Sequence, residues 1–348
     1  MHHIRLRPPP LDPRERTSER ENDPLTNAEW PSLPKMPWTN ATIPSVARRA
    51  VFRRPLPDTL PDLISGTYEG SHIAPHTYEA LLVVVPFRRF IVVRRGVPLL
   101  TEPGDIFVGD ILELHAARAT ISHCHARVYL VSPVLLQELA HSVGMRDASV
   151  LRFDGAPLSD RPLARALTSL GEELERPLVS SDAAERCRGL LRQLIQSHAR
   201  EDAPIPEDDR VARAIRRVQS HLQQHVTECV GLDELASMAH LSKSYLIRAF
   251  RRAVGLPPHS YHVQLRIARA ARLLATGASL SRAAFDAGFS DQSHLSRKFK
   301  SAYGLTPLEF ARGVRSSTAM SVGVGDQRKK SRALSFNSTV HDAARRLG

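Results

Sequence analysis

One pattern occurs twice in the C-terminal third, as Ser242-Lys243-Ser244-Tyr245-Leu246-Ile247-Arg248-Ala249-Phe250-Arg251 and as Asp291-Gln292-Ser293-His294-Leu295-Ser296-Arg297-Lys298-Phe299-Lys300. Each copy has an N-capping residue at its start (Ser242 in the first, Ser290 or Asp291 in the second) and apolar residues four positions apart. A glycine, Gly255 or Gly304, follows each and predicts a left-handed helix end. A short helix and a turn precede each copy, so the sequence predicts two helix-turn-helix units.

A continuous helical pattern joins the two units. It runs from Pro258 to Ala275, with proline at a tolerated early position. Eighteen residues at about 1.5 Å each span roughly 27 Å. Together with the helix widths, this approaches the ~34 Å of one DNA turn. We therefore expect both second helices to enter successive major grooves on one side of a duplex.

The charge of the chain is concentrated in this region. The whole sequence carries a net charge of +12, and residues 210–315 hold 17 Lys+Arg against 6 Asp+Glu, a surplus of +11. A basic domain beside a nearly neutral one is the electrostatic pattern of a module that binds phosphates, although a basic solvated surface is the simpler alternative.

The stretch from Ala287 to Lys300, with Tyr303-Gly304-Leu305-Thr306-Pro307, resembles the signature of the AraC/XylS family of bacterial regulators. The first half of that signature is matched by Leu235-Ala236, Leu241-Ser242, Phe250-Arg251 and Arg266-Ile267-Ala268-Arg269-Ala270. The resemblance covers about 100 residues. It implies that DNA bases are read by Ser244, Ile247, Arg248, Gln292, Ser293, Ser296 and Arg297. Phosphate contacts are expected from Lys243, Arg251, Arg252, Lys298 and Lys300. A capping or surface role is the alternative for the serines. For Arg248 and Arg297 the alternative is contact with phosphate instead of bases.

The N-terminal half has a different pattern. Residues 1–61 hold 12 of the 25 prolines, whereas Ala80–Val85, Phe90–Val93 and Val128–Val131 are short apolar runs typical of strands in an antiparallel barrel or sandwich. Leucines at helical spacing predict amphipathic helices over Pro162–Leu174 and Ala183–His198, which would pair with each other or with a second subunit.

Members of the family often carry a cupin-type barrel that senses a ligand or dimerises, and Pro75-His76-Thr77-Tyr78-Glu79, Pro103-Gly104-Asp105-Ile106 and His115 resemble its spaced marks. The resemblance implies an effector site at His76, Tyr78 and His115. A metal held by His72, His76, Glu79 and His115 is an alternative, but the spacing of His72 and His76 is loose, so we predict no bound metal and no cofactor.

The predicted fold class is α+β: a cupin-like β-barrel with amphipathic helices, followed by an all-α domain of two helix-turn-helix units joined by a long helix. We predict five segments along the chain: a disordered Pro-rich extension at 1–45, an effector-binding and dimerisation barrel at 46–150, amphipathic dimerisation helices at 151–203, the double helix-turn-helix domain at 204–315 and a flexible basic tail at 316–348.

The predicted function is a sequence-specific transcription regulator, more often an activator in this family, that responds to a small-molecule effector. Its expected partners are double-stranded DNA, RNA polymerase and a second copy of the chain. A cupin enzyme or a repair protein fused to a DNA-binding domain is the alternative from another class, and an architectural DNA binder is a third, but we predict no enzymatic activity. Three widely spaced cysteines, no secretory signal and no long apolar run favour a cytoplasmic protein.

Overall fold

The structure, a computed structural model, describes residues 46–120, 123–148, 151–153, 156–176, 179–201, 209–315 and 322–323. The Pro-rich extension expected at 1–45 and most of the expected tail lie outside these residues. The strands are β1 (Val46–Arg53), β2 (Leu63–His76), β3 (Leu81–Pro86), β4 (Phe90–Arg94), β5 (Val97–Thr101), β6 (Phe107–Gly109), β7 (His115–Ala119), β8 (Cys124–Val131), β9 (Leu151–Phe153), β10 (Ala199–Glu201) and β11 (Val322–Gly323). The helices are α1 (Pro133–Ser142), α2 (Arg161–Glu173), α3 (Ala183–His198), α4 (Arg210–Gln224), α5 (Leu232–Ala239), α6 (Lys243–Val254), α7 (Pro258–Ala275), α8 (Leu280–Asp286), α9 (Gln292–Tyr303) and α10 (Pro307–Arg315).

The N-terminal strands form a barrel-like antiparallel sheet in the order β5-β4-β7-β2-β8-β3-β6. The 14-residue β2 is its centre, because it pairs with β8 from Leu63 to Gly70, with β7 from His72 to His76, and with β1 on its remaining edge. The short strands predicted near 80–85, 90–93 and 128–131 are confirmed. The two residues of β11 pair with β1, which differs from the expectation of an unpaired tail after Ser316.

Both faces of β3 are buried, which explains why this strand is apolar throughout rather than alternating. Leu82 and Val84 face the barrel interior, and Val83 faces an outer core that also contains α1, α2 and α3. The leucines of α2 and α3 pack against each other and against this outer face, within one chain. The predicted pairing of the two helices is therefore confirmed, whereas dimerisation through this region remains a prediction.

The C-terminal helices follow the two predicted units closely. Ser242 caps α6 and accepts a hydrogen bond from the backbone N–H of Tyr245, whereas Asp291, and not Ser290, caps α9 by accepting from that of His294. Gly255 and Gly304 end the two helices with φ of 99° and 77°. The connecting helix α7 has the expected 18 residues.

The barrel and the helical domain pack directly against each other. The interior apolar core of the barrel continues into α7–α10, and Leu114 from the barrel joins the core of the first unit. The Tyr261 hydroxyl on α7 donates to the carbonyl oxygen of Leu112, at 3.4 Å. The two domains therefore share buried surface on both units. No helix among the described residues has both the length and the apolar character needed to cross a membrane.

Candidate nucleic-acid interface and internal cavity

The residues predicted to read bases lie on one accessible side of α6 and of α9. Ser244 and Arg248 on α6 are exposed, as are Gln292, Ser293 and Arg297 on α9, while Ile247 and Ser296 are half-buried. The apolar residues at the alternate helical positions, Leu246 and Phe250 on α6 and Leu295 and Phe299 on α9, are fully buried. The same helical periodicity thus anchors each helix and leaves a polar face free for a ligand.

The residues predicted to contact phosphate flank these faces. Arg252, Lys298 and Lys300 are exposed, and Arg251 is half-buried. Lys243 is exposed and pairs with Asp233, at 2.5 Å. An exposed ion pair of this kind contributes little, so it would release the Lys243 amine at small cost.

Tyr245 is a surface residue on α6 that the sequence did not single out. The residue is 42% exposed, and the Arg248 guanidinium carbon lies 6.0 Å from the centroid of its ring. This contact orients Arg248 on the exposed face.

Other arginines of the domain have structural roles. Arg266 donates to the carbonyl oxygens of Val226 and Glu228, and Arg269 donates to that of Asp286. Arg315 donates in the same way to Leu274 and Ala278. Part of the +11 surplus therefore serves to hold helix ends and loops, and the charge available to DNA is smaller than the sequence suggests.

A cavity lies inside the barrel. His76, Tyr78 and His115, the three residues of the expected effector site, all line it. The remaining lining is mostly aromatic and aliphatic: Phe52, Tyr68, Ile73, Leu82, Val84, Phe90, Val92, Phe107, Ala116, Ala117, Cys124, Ala126, Val128 and Tyr303. None of these described lining residues is an aspartate, glutamate, lysine or arginine. The lining suits a small, largely apolar organic molecule.

The two histidines are adjacent and neutral. Their ring centroids are 4.2 Å apart. Burial, together with the neighbouring His115, holds the pKa of His76 well below its usual value, and burial lowers the pKa of His115 to about 4. Each Nδ1 lies within hydrogen-bond distance of a backbone carbonyl oxygen, that of Ala74 for His76 (2.8 Å) and that of Glu113 for His115 (3.1 Å).

The cavity wall is completed by a residue of the second unit. Tyr303, the last residue of α9, stacks on Tyr78 with ring centroids 5.0 Å apart and 5° between the planes. Its hydroxyl donates to the carbonyl oxygen of Thr77, at 2.8 Å. The helix that carries Arg297 at its exposed face therefore ends in the wall of the cavity.

The alternative metal site is not assembled. Glu79 forms an ion pair with Arg272 of α7. Within the described residues no group of three or more His, Cys, Asp or Glu side chains is placed to hold a metal ion. Of the four residues weighed for a metal, His76 and His115 line the cavity, whereas Glu79 pairs with the helical domain.

A comparison with protein-family models matches residues 235–313 to the model described as "Helix-turn-helix domain". The match begins in α5 and ends in α10, so it spans both units described above. Residues 235–313 therefore form a helix-turn-helix domain of the AraC type.

Curated relatives of the AraC-type domain are named as regulators. An uncharacterized HTH-type transcriptional regulator YbfI of Bacillus subtilis is 36% identical over 110 residues, which are 30% of this chain and 38% of that protein. The HTH-type transcriptional activator RhaS of Escherichia fergusonii is 29% identical over 115 residues, 33% of this chain and 41% of that protein. The chain thus spans about two fifths of the length of these relatives.

Among solved structures, a regulator described as containing an AraC-type DNA-binding domain, from Chromobacterium violaceum, is 26% identical. The likeness covers 30% of this chain and 95% of that one, with a TM-score of 0.28.

Sequence reasoning missed the place of Tyr303 in the cavity. In the sequence, Tyr303 belongs to the stretch Tyr303-Gly304-Leu305-Thr306-Pro307 of the family signature, where it indicates only the end of the helix now seen as α9. An aromatic residue just before the Gly304 helix end gave no sign of its partner, because Thr77 and Tyr78 lie more than two hundred positions away. The contact between the AraC-type domain and the cavity was visible only in the fold.

Proposed function

We propose that this protein is a sequence-specific DNA-binding transcription regulator that responds to a small molecule in its barrel cavity. The observation that carries the proposal is the repeated recognition element: α6 and α9 are capped alike, anchored alike, and expose polar faces with different residues. The 18-residue α7 joins them. Two different faces on one chain favour a non-palindromic site over general binding to any duplex.

The effector role is supported by the place of the cavity. An occupant would touch His76 and His115 on the barrel and Tyr303 on α9 at the same time. A ligand can shift a protein between conformations only through contacts that differ between them. A molecule that reaches the end of the second recognition helix can make such contacts.

Further parts of the proposal concern partners and chemistry. We propose that the regulator activates transcription, as RhaS is named to do, by contacting RNA polymerase, and that it works in the cytoplasm where promoters are accessible. We also propose that it forms homodimers and that it is not an enzyme. The relatives named as regulators support this reading over a fused repair protein or cupin enzyme.

Selection of bound sequences from a random duplex pool by the full-length protein, at about 150 mM salt, tests the proposal. We expect one bipartite motif of about 15–20 base pairs, with its halves one helical turn apart. Arg248→Ala should relax the preference within one half and Arg297→Ala within the other, each at a cost of ~1–3 kcal/mol on the best site.

Lys298→Ala is the matched control, since Lys298 is a predicted phosphate contact on the same helix as Arg297. It should weaken binding to all sequences by a similar factor and leave the motif unchanged. Failure to enrich any sequence would contradict the proposal. Arginine variants that behave like Lys298→Ala would contradict the assignment of base-reading residues.

A further inference from the structure

The polar groups of the barrel cavity are sparse enough to define the class of molecule that it accepts. This step rests on the proposed effector role of the cavity. The lining has two imidazoles, three tyrosine hydroxyls and one thiol, set among aliphatic and aromatic side chains. The orientation and protonation of these groups decide what a ligand must offer.

Hydrogen bonding fixes the tautomer of both histidines. A backbone carbonyl oxygen only accepts, so the Nδ1 atoms that face Ala74 O and Glu113 O must carry the hydrogen. Because burial keeps both rings neutral, each Nε2 is left with a lone pair and no hydrogen. Within the described part of the chain neither Nε2 has a hydrogen-bond partner. Because both rings line the cavity, we infer that their Nε2 atoms are the acceptors that a ligand would meet.

Two of the three tyrosines contribute less to recognition. Tyr68 and Tyr303 already donate their hydroxyl hydrogens to the carbonyl oxygens of His72 and Thr77. Burial raises the pKa of Tyr78, and that of the Cys124 thiol to about 12, so both stay uncharged. The Tyr78 and Tyr303 rings offer stacked aromatic surface at the same end as the histidines.

Anions are disfavoured at this site. Arg94 is a buried residue on β4, the strand that also carries the lining residue Val92. Its guanidinium pairs with Asp110 at 3.1 Å and with Glu113 at 2.8 Å, and it does not line the cavity. A carboxylate taken from water into this cavity would lose its hydration without gaining a cation. It also has no hydrogen to donate to an Nε2 atom.

We propose that the cavity binds an uncharged, largely apolar aromatic molecule that carries a hydroxyl or N–H donor, and that His76 and His115 determine this specificity by accepting from the donor. The aromatic body packs against Phe90, Phe107 and the Tyr78–Tyr303 pair. Carboxylates of the same shape are rejected.

The test compares three probes of one skeleton on the full-length protein without DNA, near pH 7: 4-hydroxybiphenyl, 4-methoxybiphenyl and biphenyl-4-carboxylate. Calorimetric titration should give a Kd for the phenol about tenfold lower than for the ether, which has the same body and no donor. The carboxylate should bind more weakly than the ether.

His76→Phe and His115→Phe together should bring the Kd values of phenol and ether to within about twofold of each other. Binding of the ether reports that the cavity of the variant is intact. If the double variant binds neither probe, the single variants are titrated, and each should reduce the preference for the phenol. His259→Phe, an exposed histidine on α7, is the control and should leave all three constants unchanged.

Equal binding of phenol and ether by the native protein, stronger binding of the carboxylate, or no binding of any probe would overturn the ligand class. None of these outcomes depends on DNA. A protein that prefers the phenol but selects no DNA sequence would instead overturn the proposed regulator function and leave the ligand class standing.

Discussion

Burial and hydrogen bonding assign different roles to residues of the same type. Arg266 and Arg269 are positioned by backbone carbonyl oxygens at helix and loop ends, whereas Arg297 projects from α9 into solvent. The histidines divide in the same way, since His76 and His115 are buried in the cavity and His259 is exposed. The role of an arginine or histidine in this protein therefore follows from its burial and its hydrogen-bond partners as well as from its residue type.

The buried histidines predict a contribution to acid sensitivity. Their pKa values in the folded protein lie below the ~6.5 of an unfolded chain, so the unfolded chain takes up protons first as the pH falls. For His115 the stabilising contribution is complete above ~6.5 and is lost as the pH falls toward about 4. For His115 the full loss is on the order of 3 kcal/mol.

Urea unfolding between about pH 7 and pH 5 measures this contribution. His115→Phe should reduce the fall in unfolding free energy on acidification, and the exposed control His259→Phe should not. The test compares variants, because the native protein's pH dependence also includes Asp110. Burial and Glu113 raise the pKa of Asp110 to about 6, so its effect on the unfolding free energy has the opposite sign to that of the histidines. An identical pH dependence in His115→Phe and the native protein would show that the imidazole is not kept neutral by the fold.

At the scale of helices and strands, local sequence defines the ends well. Ser242, Gly255 and Gly304 encode helix boundaries through hydrogen bonds and φ angles within a few residues, and all three boundaries were predicted. Helix α1 was missed although Ser132 caps it and Pro133 starts it, because a single ten-residue helix between strands has a weak periodic signal. The barrel cavity could not be predicted in detail, since its wall combines side chains from distant strands and from α9.

The contact between α10 and β1 depends on one glycine. A Cβ atom built on Gly313 would lie 2.5 Å from the carbonyl oxygen of Phe52, too close for either backbone to remain in place. Beside this point Phe310 packs on Phe52, with ring centroids 5.9 Å apart. We therefore expect Gly313→Ala to destabilise the protein by ~1–3 kcal/mol in denaturant unfolding.

Gly189 on α3 provides the matched control for this substitution. Among the described residues, no heavy atom outside its chain neighbours and the adjoining helix backbone lies within 4 Å of the added Cβ, so Gly189→Ala should be neutral or stabilise by up to ~1 kcal/mol, as alanine favours helix. Equal stability of the two variants would mean that α10 and β1 are not in close contact.

At the scale of the whole molecule, the barrel and the AraC-type domain share one core. The sequence predicted two domains, and each was identified with its own apolar pattern. The sequence did not indicate that Leu114 would join the first unit or that Tyr303 would reach the cavity. These contacts join the strands of the barrel to the C-terminal helices, and the apolar pattern of each domain is explained by its own core without them. We therefore propose that occupancy of the cavity and binding of DNA influence each other through α9.

This coupling predicts a specific effect of Tyr303→Phe. The variant keeps the ring stacked on Tyr78 but loses the hydroxyl bond to Thr77 O, which contributes ~0.5–1.5 kcal/mol. By linkage, a cavity ligand changes DNA affinity by the same factor as DNA changes ligand affinity. The measurement is the ratio of DNA affinities with and without 4-hydroxybiphenyl. In Tyr303→Phe this ratio should lie closer to one than in the native protein, with a difference of up to about tenfold between the two proteins.

Tyr129→Phe is the control that separates coupling from stability. It also removes a buried hydroxyl bond to a backbone carbonyl, that of Leu167, but this bond joins β8 to α2 within the N-terminal domain. Both variants should unfold at lower urea concentration than the native protein, and only Tyr303→Phe should change the coupling factor. If Tyr129→Phe changes the factor equally, the influence passes through general stability rather than through the end of α9.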